Sequence, residues 1–374
     1  MKIITVVGTR PEVIKLSRII HKLDQHFEHI LVHTGQNYDY ELNQIFFEDL
    51  EIRKPDYFLD AARYSVADTI GQVIIRIDPI LEKERPDALL ILGDTNSCLS
   101  AIAAKRRKVP IFHMEAGNRC FDQRVPEEIN RKILDHISDI NMPYSDIARE
   151  YLLREGLAPD QIIKTGSPMY EVLHYYHRKI ETSDIMSRLG LQEQDYFVVS
   201  SHREENIDFP EQFTKLIHVL KNLSKQFEKR IIVSTHPRTK KMIDEMRVTL
   251  NPSVELMKPL GFCDYVNLQM HAIATLSDSG TITEESSILN FPALNLRNAH
   301  ERPEGMEEGS VIMTGLDWET ILLALNMIKT QERGFTRTLH IVKDYDVPNV
   351  SEKVIRIIMS YINYINKKVW RKSL

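Results

Sequence analysis

Residues 89–132 read LLILGDTNSCLSAIAAKRRKVPIFHMEAGNRCFDQRVPEEINRK. The apolar runs Leu89–Leu92 and Val109–His113 have the length and composition of buried parallel strands. Each run ends in a loop that carries an acid, Asp94 after the first and Glu115 after the second. Ser97–Arg107, between them, has the composition of a crossover helix. In such a β-α-β unit both loops leave the same edge of the sheet, where ligands of open α/β sheets bind. Asp94 and Glu115 are therefore expected to face one crevice. Pro126-Glu127-Glu128 opens another helix nearby and adds a third acid. Three carboxylates together with a few arginines point to chemistry on a polar small molecule.

The same pattern extends in both directions. Ile3–Val7 reads as a first strand, followed by Gly8-Thr9-Arg10-Pro11-Glu12 and a helix to about Leu23. Two readings of this loop stay open. Gly8 for a turn, Pro11 at N1 and Glu12 in the first turn make an ordinary helix start. Alternatively, helix-terminal N–H groups with Arg10 and Lys15 could hold a diphosphate. Neither a complete GxGxxG nor a Gly-Lys-Ser/Thr ending is present. Further strands are expected at Ile30–Thr34, Asp139–Met142 and Ile162–Thr165, with helices at Thr69–Glu84 and Ile147–Glu155. Gly166-Ser167-Pro168 breaks the pattern, so a hinge is expected there. It divides a first domain, 1–167, from a second, 168–349.

A second alternation supplies strands at Tyr196–Ser200, Arg230–Ser234, Val254–Met257, Ala274–Ser277 and Ala293–Leu296, with a helix at about Glu211–Gln226. An amphipathic helix, Val350–Lys367, closes the chain. The fold class is thus α/β, with two Rossmann-like doubly wound domains facing a cleft.

The 374 residues are 43% hydrophobic and 27% charged, with a net charge of -5. That composition suits a soluble enzyme and argues against a nucleic-acid or membrane-surface partner. The 3 cysteines form no CxxC pair, so the expected compartment is the reducing cytoplasm. No apolar run approaches the roughly 18 residues of a membrane span.

Asp278-Ser279-Gly280-Thr281 falls at a strand-to-helix junction, with small residues suited to an anion. One turn later, Glu285 could accept hydrogen bonds from a ribose diol. An ordinary helix capped by Ser279 explains the same residues. His202 and Arg203 either face a phosphate or are simply solvated. There is no HExxH, no metal-ligand spacing and no GxSxG. These residues suggest a site for a nucleoside-diphosphate-linked compound, and periodicity does not name the reaction.

At these positions the sequence resembles the non-hydrolysing UDP-N-acetylglucosamine 2-epimerase family. GTRPE with Lys15, HTGQ (33–36), GDT (93–95), HMEAG (113–117), PEEINR (126–131), HREEN (202–206), DSG (278–280) and ERPE (301–304) recur in order along nearly the whole chain. The resemblance implies a glycosyltransferase-B type fold and a homodimer. It also implies a C-terminal helix, 350–374, that returns to the first domain. By the same resemblance Asp94, Glu115, Glu127 and His202 are the catalytic candidates. Arg10, Lys15 and Arg131 are expected to contact substrate. Ser279, Gly280, Thr281, Glu285 and Arg302 are expected to bind UDP, with Tyr265 near the uracil and Leu260 offering main-chain contacts. No metal and no cofactor is implied.

The departures carry information too. The family's DSGG is DSGT here, and a histidine that some members use for an allosteric UDP-sugar is Asn37. AGNRCFD, RVPEEINRK, HREEN and LSDSGT resemble one branch. Its members turn UDP-2-acetamido-2,6-dideoxy-L-talose into UDP-N-acetyl-L-fucosamine for capsule or O-antigen synthesis. Other readings are UDP-N-acetylglucosamine 2-epimerase, a hydrolysing 2-epimerase, a glycosyltransferase of the same fold, or a non-enzymatic nucleotide-sugar binder. All of these take a UDP-linked amino sugar.

Overall fold

The computed structural model describes residues 1–35, 40–201, 203–207, 209–235 and 237–372. The chain divides into two compact units, Met1–Tyr175 with Lys343–Leu374, and Tyr176–Val342.

The described strands of the first unit are β1 (Lys2–Val7), β2 (Glu28–His33), β3 (Tyr57–Phe58), β4 (Ala88–Leu92), β5 (Ile111–Met114) and β6 (Ile140–Met142). All pair in parallel, in the order β3-β2-β1-β4-β5-β6. Strand order therefore reverses between β1 and β4, and the crevice at that switch point opens at the strands' carboxyl ends. The central strands are mostly apolar because helices cover both faces, with Thr5 and His113 as buried polar exceptions. Ile4, Val6, Leu89, Ile91 and Ile111 are fully buried, packed with Val73 and Ile77 of helix Val66–Glu84. Each such side chain contributes roughly 1.5–3 kcal/mol by leaving water.

The crossover expected as one helix is two short pieces, a 3-10 turn Asn96–Ser100 and an α-helix Ala101–Arg106. Thr95 Oγ1 accepts the Ser97 N–H at 3.2 Å, and the tight turn puts Ser97 and Cys98 in the interior. Ile162–Thr165 is not a strand, since it holds a single bridge, Ile162 beside Asn141.

The expected hinge at Gly166–Pro168 lies inside the first unit. The Ser167 N–H donates to the Asp344 carbonyl at 3.0 Å, and a Cβ on Gly166 would meet Val347 at 2.6 Å. Helix Met169–Tyr175 also belongs to this unit. It packs on helix Arg10–His26, where the Arg18 guanidinium sits 3.3 Å from the Tyr175 ring centroid. The division falls after Tyr175, not after residue 167, and the returning segment starts at Lys343, not 350. Helix Val350–Lys368 buries Val354, Ile358, Ile362 and Ile365 along one face and packs on Arg10–His26.

The second unit has β7 (Tyr196–Ser200), β8 (Arg230–Ser234), β9 (Val254–Met257), β10 (Thr275–Ser277), β11 (Ala293–Asn295) and β12 (Ile312–Met313) among the described residues. Their order is β12-β11-β10-β7-β8-β9, again all parallel. The switch point here lies between β7 and β10. Phe197, Val199, Leu276 and Leu294 form the core with Leu216 and Leu220 of helix Pro210–Phe227.

Candidate active site

In the first unit, β4 and β5 run in register, with Leu92 opposite Met114. Asp94 and Glu115 therefore leave the sheet at the same level. Gly93, Glu115 and Gly117 all adopt left-handed backbone, with φ of 79°, 60° and 81°. For Glu115 this conformation is strained, so neighbouring contacts must hold it.

Each acid is held by a cation. Arg131 approaches Asp94 Oδ2 through Nε at 3.0 Å and a terminal nitrogen at 2.7 Å. Lys15 Nζ donates to Glu115 Oε2 at 2.6 Å, and both side chains of that pair are largely buried. The Lys15 ammonium also lies 5.7 Å from the Tyr144 ring centroid. Asn130 Nδ2 donates to the Asp94 carbonyl at 3.0 Å and to Asn96 Oδ1 at 3.1 Å.

Helix Pro126–Ile137 separates the two adjacent acids, because neighbours on a helix do not share a face. Glu128 is fully buried and clamps the preceding loop. It accepts the Cys120 N–H at 3.1 Å, the Phe121 N–H at 3.3 Å and Arg131 at 3.1 Å. Glu127 is half-buried at the helix start.

The Gly8–Glu12 loop resolves as a helix start. Glu12 is buried and turns back to accept the Gly8 and Thr9 N–H groups at 2.6 and 2.8 Å. Those two N–H groups are taken by the chain's own carboxylate, so they are not a diphosphate cradle. Thr95 Oγ1 donates to Glu12 at 2.5 Å, which ties this loop to the Asp94 loop. Burial raises the Glu12 pKa, against the opposing hydrogen bonds from Thr95, Gly8 and Thr9. A Cβ on Gly8 would stand 1.9 Å from Ser97 Oγ and 2.2 Å from Thr34 Oγ1, which are bonded to each other at 2.7 Å. Gly8→Ala is expected to destabilise the unit by roughly 1–3 kcal/mol. Chemical denaturation measures this, and an unchanged midpoint contradicts it.

In the second unit, Asp278 follows β10 and is fully buried. Its Oδ2 accepts Ser201 Oγ at 2.8 Å, the Arg203 N–H at 3.1 Å and Asn206 Nδ2 at 3.0 Å. This carboxylate joins the loops after β7 and β10 across the switch point. The residue before helix Ile282–Leu289 is Thr281, not Ser279, and its side chain makes no capping hydrogen bond to the helix. The hydroxyls of Ser279 and Thr281 lie 3.0 Å apart, so the threonine that replaces the family's second glycine is bonded within the turn. A Cβ on Gly280 would meet nothing nearer than Arg203 and Glu301, both 3.9 Å away.

Around this turn the charges interlock. Glu301 stands 2.9 Å from Arg297 and 3.8 Å from Arg203, and Arg302 stands 3.5 Å from Glu284. Glu285 is buried and accepts Gln269 Nε2 at 2.9 Å. Tyr265 is close enough for burial and the Glu285 charge to push its phenol pKa up, so it stays protonated. Leu260 and Tyr265 pack on one apolar cluster with Tyr196 and Leu268.

The model of the UDP-N-acetylglucosamine 2-epimerase family matches residues 21–359. The chain belongs to this family. The structure of UDP-N-acetylglucosamine 2-epimerase from Rickettsia bellii is 53% identical, with a TM-score of 0.93 over 100% of both chains. That of Methanocaldococcus jannaschii UDP-GlcNAc 2-epimerase in complex with UDP-GlcNAc and UDP is 32% identical. Its TM-score is 0.90 over 96% of this chain and 100% of that one. UDP-2,3-diacetamido-2,3-dideoxy-D-glucuronate 2-epimerase of Pseudomonas aeruginosa is 34% identical over 84% of this chain and 88% of its own. The protein is thus an isomerase of UDP-sugars with the two-domain glycosyltransferase-B architecture.

In this epimerase, the residues singled out in the sequence fall into two groups. Lys15, Asp94, Glu115 and Arg131 meet at the β1/β4/β5 edge of the first unit. Arg10 opens helix Arg10–His26, the helix that carries Lys15, with its guanidinium 5.5 Å from the Phe46 ring centroid. Ser279, Gly280, Thr281, Glu285, Arg302, Tyr265 and Leu260 belong to the second unit. His202 lies outside the described residues, as do Gln36 and Asn37. Sequence reasoning missed Thr95, Asn130 and Asp278 as organising side chains, and it left Glu12 as a mere helix-start acid. Their one signal was place, each being a polar residue at or just beyond a strand end or helix start.

Proposed function

We propose that this epimerase converts UDP-2-acetamido-2,6-dideoxy-L-talose to UDP-N-acetyl-L-fucosamine. It eliminates UDP to give a 2-acetamidoglycal and adds UDP back. One observation carries the chemistry: two carboxylates at one strand edge, each fixed by a cation, Asp94 by Arg131 and Glu115 by Lys15. C2–H of an amino sugar is not acidic, because no carbonyl is conjugated to it. Weakening the C1–O bond first gives C1 oxocarbenium character, which acidifies C2–H. Carboxylates suit both the ring charge and the proton. Asp94, Glu115, Glu127 and His202 are the proposed acid–base groups.

On this reading Arg10, Arg302 and the Ser279-Gly280-Thr281 turn take the diphosphate. Glu285 takes the ribose, and Tyr265 with Leu260 takes the uracil. The scheme consumes no electrons and calls for no metal or redox cofactor. The likeness of AGNRCFD, RVPEEINRK, HREEN and LSDSGT to the L-fucosamine branch supports the 6-deoxy-L-sugar. The Pseudomonas aeruginosa relative, named for a different sugar, supports variation of substrate within the family. A second reading, UDP-N-acetylglucosamine to UDP-N-acetylmannosamine, is favoured by the Methanocaldococcus jannaschii complex. We place the product in capsule or O-antigen synthesis, and the enzyme in the cytoplasm as a homodimer. None of the described helices is long and apolar enough to cross a membrane.

Two measurements test the reading. In D₂O the product is expected to carry deuterium at C2 and at no other ring position. Protium retained at C2 with full inversion, alongside an unscrambled ¹⁸O label in the C1–O–P bridge, would rule out the elimination. The kcat/KM for the 6-deoxy-L-talose substrate is expected to exceed that for UDP-N-acetylglucosamine. Equal or reversed values favour the second reading.

A further inference from the structure

His113 sits in β5 with no exposure to solvent, an imidazole within an apolar strand. Such a ring is costly to bury unless its nitrogens are satisfied. Nε2 lies 2.8 Å from the Gly93 carbonyl, and Nδ1 lies 3.1 Å from Asp135 Oδ1. Nε2 donates to the Gly93 carbonyl, whereas Nδ1 stands beside the Asp135 carboxylate as a charge contact and not as an aligned hydrogen bond. Burial pulls its pKa down, but the adjacent Asp135 carboxylate and the Gly93 carbonyl outweigh this, and the net shift is upward.

Asp135, on helix Pro126–Ile137, is equally buried. Besides His113 it meets the Gly117 N–H at 3.2 and 3.3 Å and Arg119 at 2.7 Å. Arg119 is locked in turn by Glu155, at 2.8 and 2.6 Å. Gly93 immediately precedes Asp94, and Gly117 follows Glu115 by two residues. One buried carboxylate therefore reaches both acid-bearing loops, the first through His113 and the second directly. The second loop begins with Glu115 in left-handed backbone, which a non-glycine residue keeps only when its surroundings hold it.

We infer that His113 and Asp135 are positioning residues that hold the Asp94 and Glu115 loops in register for the reaction. The inference rests on the reading of those two acids as the acid–base groups. Neither His113 nor Asp135 touches substrate in this account. They act by fixing the backbone from which the acids project, and small misplacements of such groups are expensive.

The test separates positioning from simple filling of the core. A glutamine amide reaches the place of Nε2, and an asparagine amide only that of Nδ1. His113→Gln keeps a donor for Gly93 and is expected to retain kcat within about threefold, whereas His113→Asn loses roughly 10²-fold. KM and UDP affinity are expected to change little in either. Asp135→Asn is expected to lower kcat similarly. Hydrogen exchange of peptides spanning 93–95 and 115–119 reads the anchoring without turnover. Faster exchange at 93–95 is expected in His113→Asn and not in His113→Gln. Equal kcat losses in the two His113 variants, tracking their thermal stability, would overturn the inference. So would wild-type-like kcat and exchange in His113→Asn. A wild-type enzyme that turns over no UDP-sugar would instead refute the functional reading, and the exchange result would still decide the anchoring.

Discussion

Asp94→Asn, Glu115→Gln and Glu127→Gln are each expected to lower kcat by roughly 10²–10⁴-fold, the range for acid–base groups, with little change in UDP affinity. The substitutions keep shape and remove charge. Asp94 faces the Arg131 guanidinium, and Glu115 faces a buried Lys15 ammonium. Glu115→Gln therefore also leaves that ammonium without its carboxylate partner, a change that is destabilising in buried pairs. Its thermal midpoint should fall further than that of Glu127→Gln, which is only half-buried at a helix start. Glu285→Gln serves as the contrast, with weaker UDP binding by calorimetry and a kcat largely kept. Near-normal turnover in all three acid variants, with native folding, would show that the acids are wrongly assigned.

Asp278→Ala is expected to cost roughly 3–5 kcal/mol, because its loss strands several buried donors at once. Ser201 Oγ, the Arg203 N–H and Asn206 Nδ2 all converge on one oxygen, and methyl offers them nothing. The loops after β7 and β10 lose their tie, so UDP affinity should fall together with stability. Scanning calorimetry should show a drop of roughly 10 °C in the transition of the second unit. Asp278→Asn keeps one acceptor oxygen and should fall between the variant and the wild type. A shift of less than about 1 kcal/mol for alanine would mean that water replaces the carboxylate.

Much of the architecture is legible in the sequence because it is local. Apolar runs such as Leu89–Leu92 and Tyr196–Ser200, punctuated by Gly, Pro and acids, mark buried parallel strands. Their alternation with amphipathic segments leaves a doubly wound sheet as the economical arrangement. The existence of two alternations is legible for the same reason, and motifs at successive strand ends were enough to reveal the family. The face of helix Val350–Lys368 was equally readable from its period.

What the sequence left undecided depends on contacts between distant residues. Glu127 and Glu128 are indistinguishable in the string, and only the seating of their helix turns Glu128 inward to clamp Cys120 and Phe121. Glu12 reads as an ordinary helix-start acid, and only the fold shows that it takes the Gly8 and Thr9 N–H groups for itself. Gly166-Ser167-Pro168 looks like a hinge by composition, yet contacts with Asp344 and Val347 fix it inside the first unit. Arg131 and Asp94 are 37 residues apart, Lys15 and Glu115 100. Those pairs form because strand order brings β1, β4 and β5 together, and because burial leaves a charge no partner but another charge. Local sequence determined which backbone most segments adopt, Ile162–Thr165 and the broken crossover after Asp94 being exceptions. Tertiary structure decided which side chains meet, since that follows from the order of strands across the sheet and not from spacing along the chain.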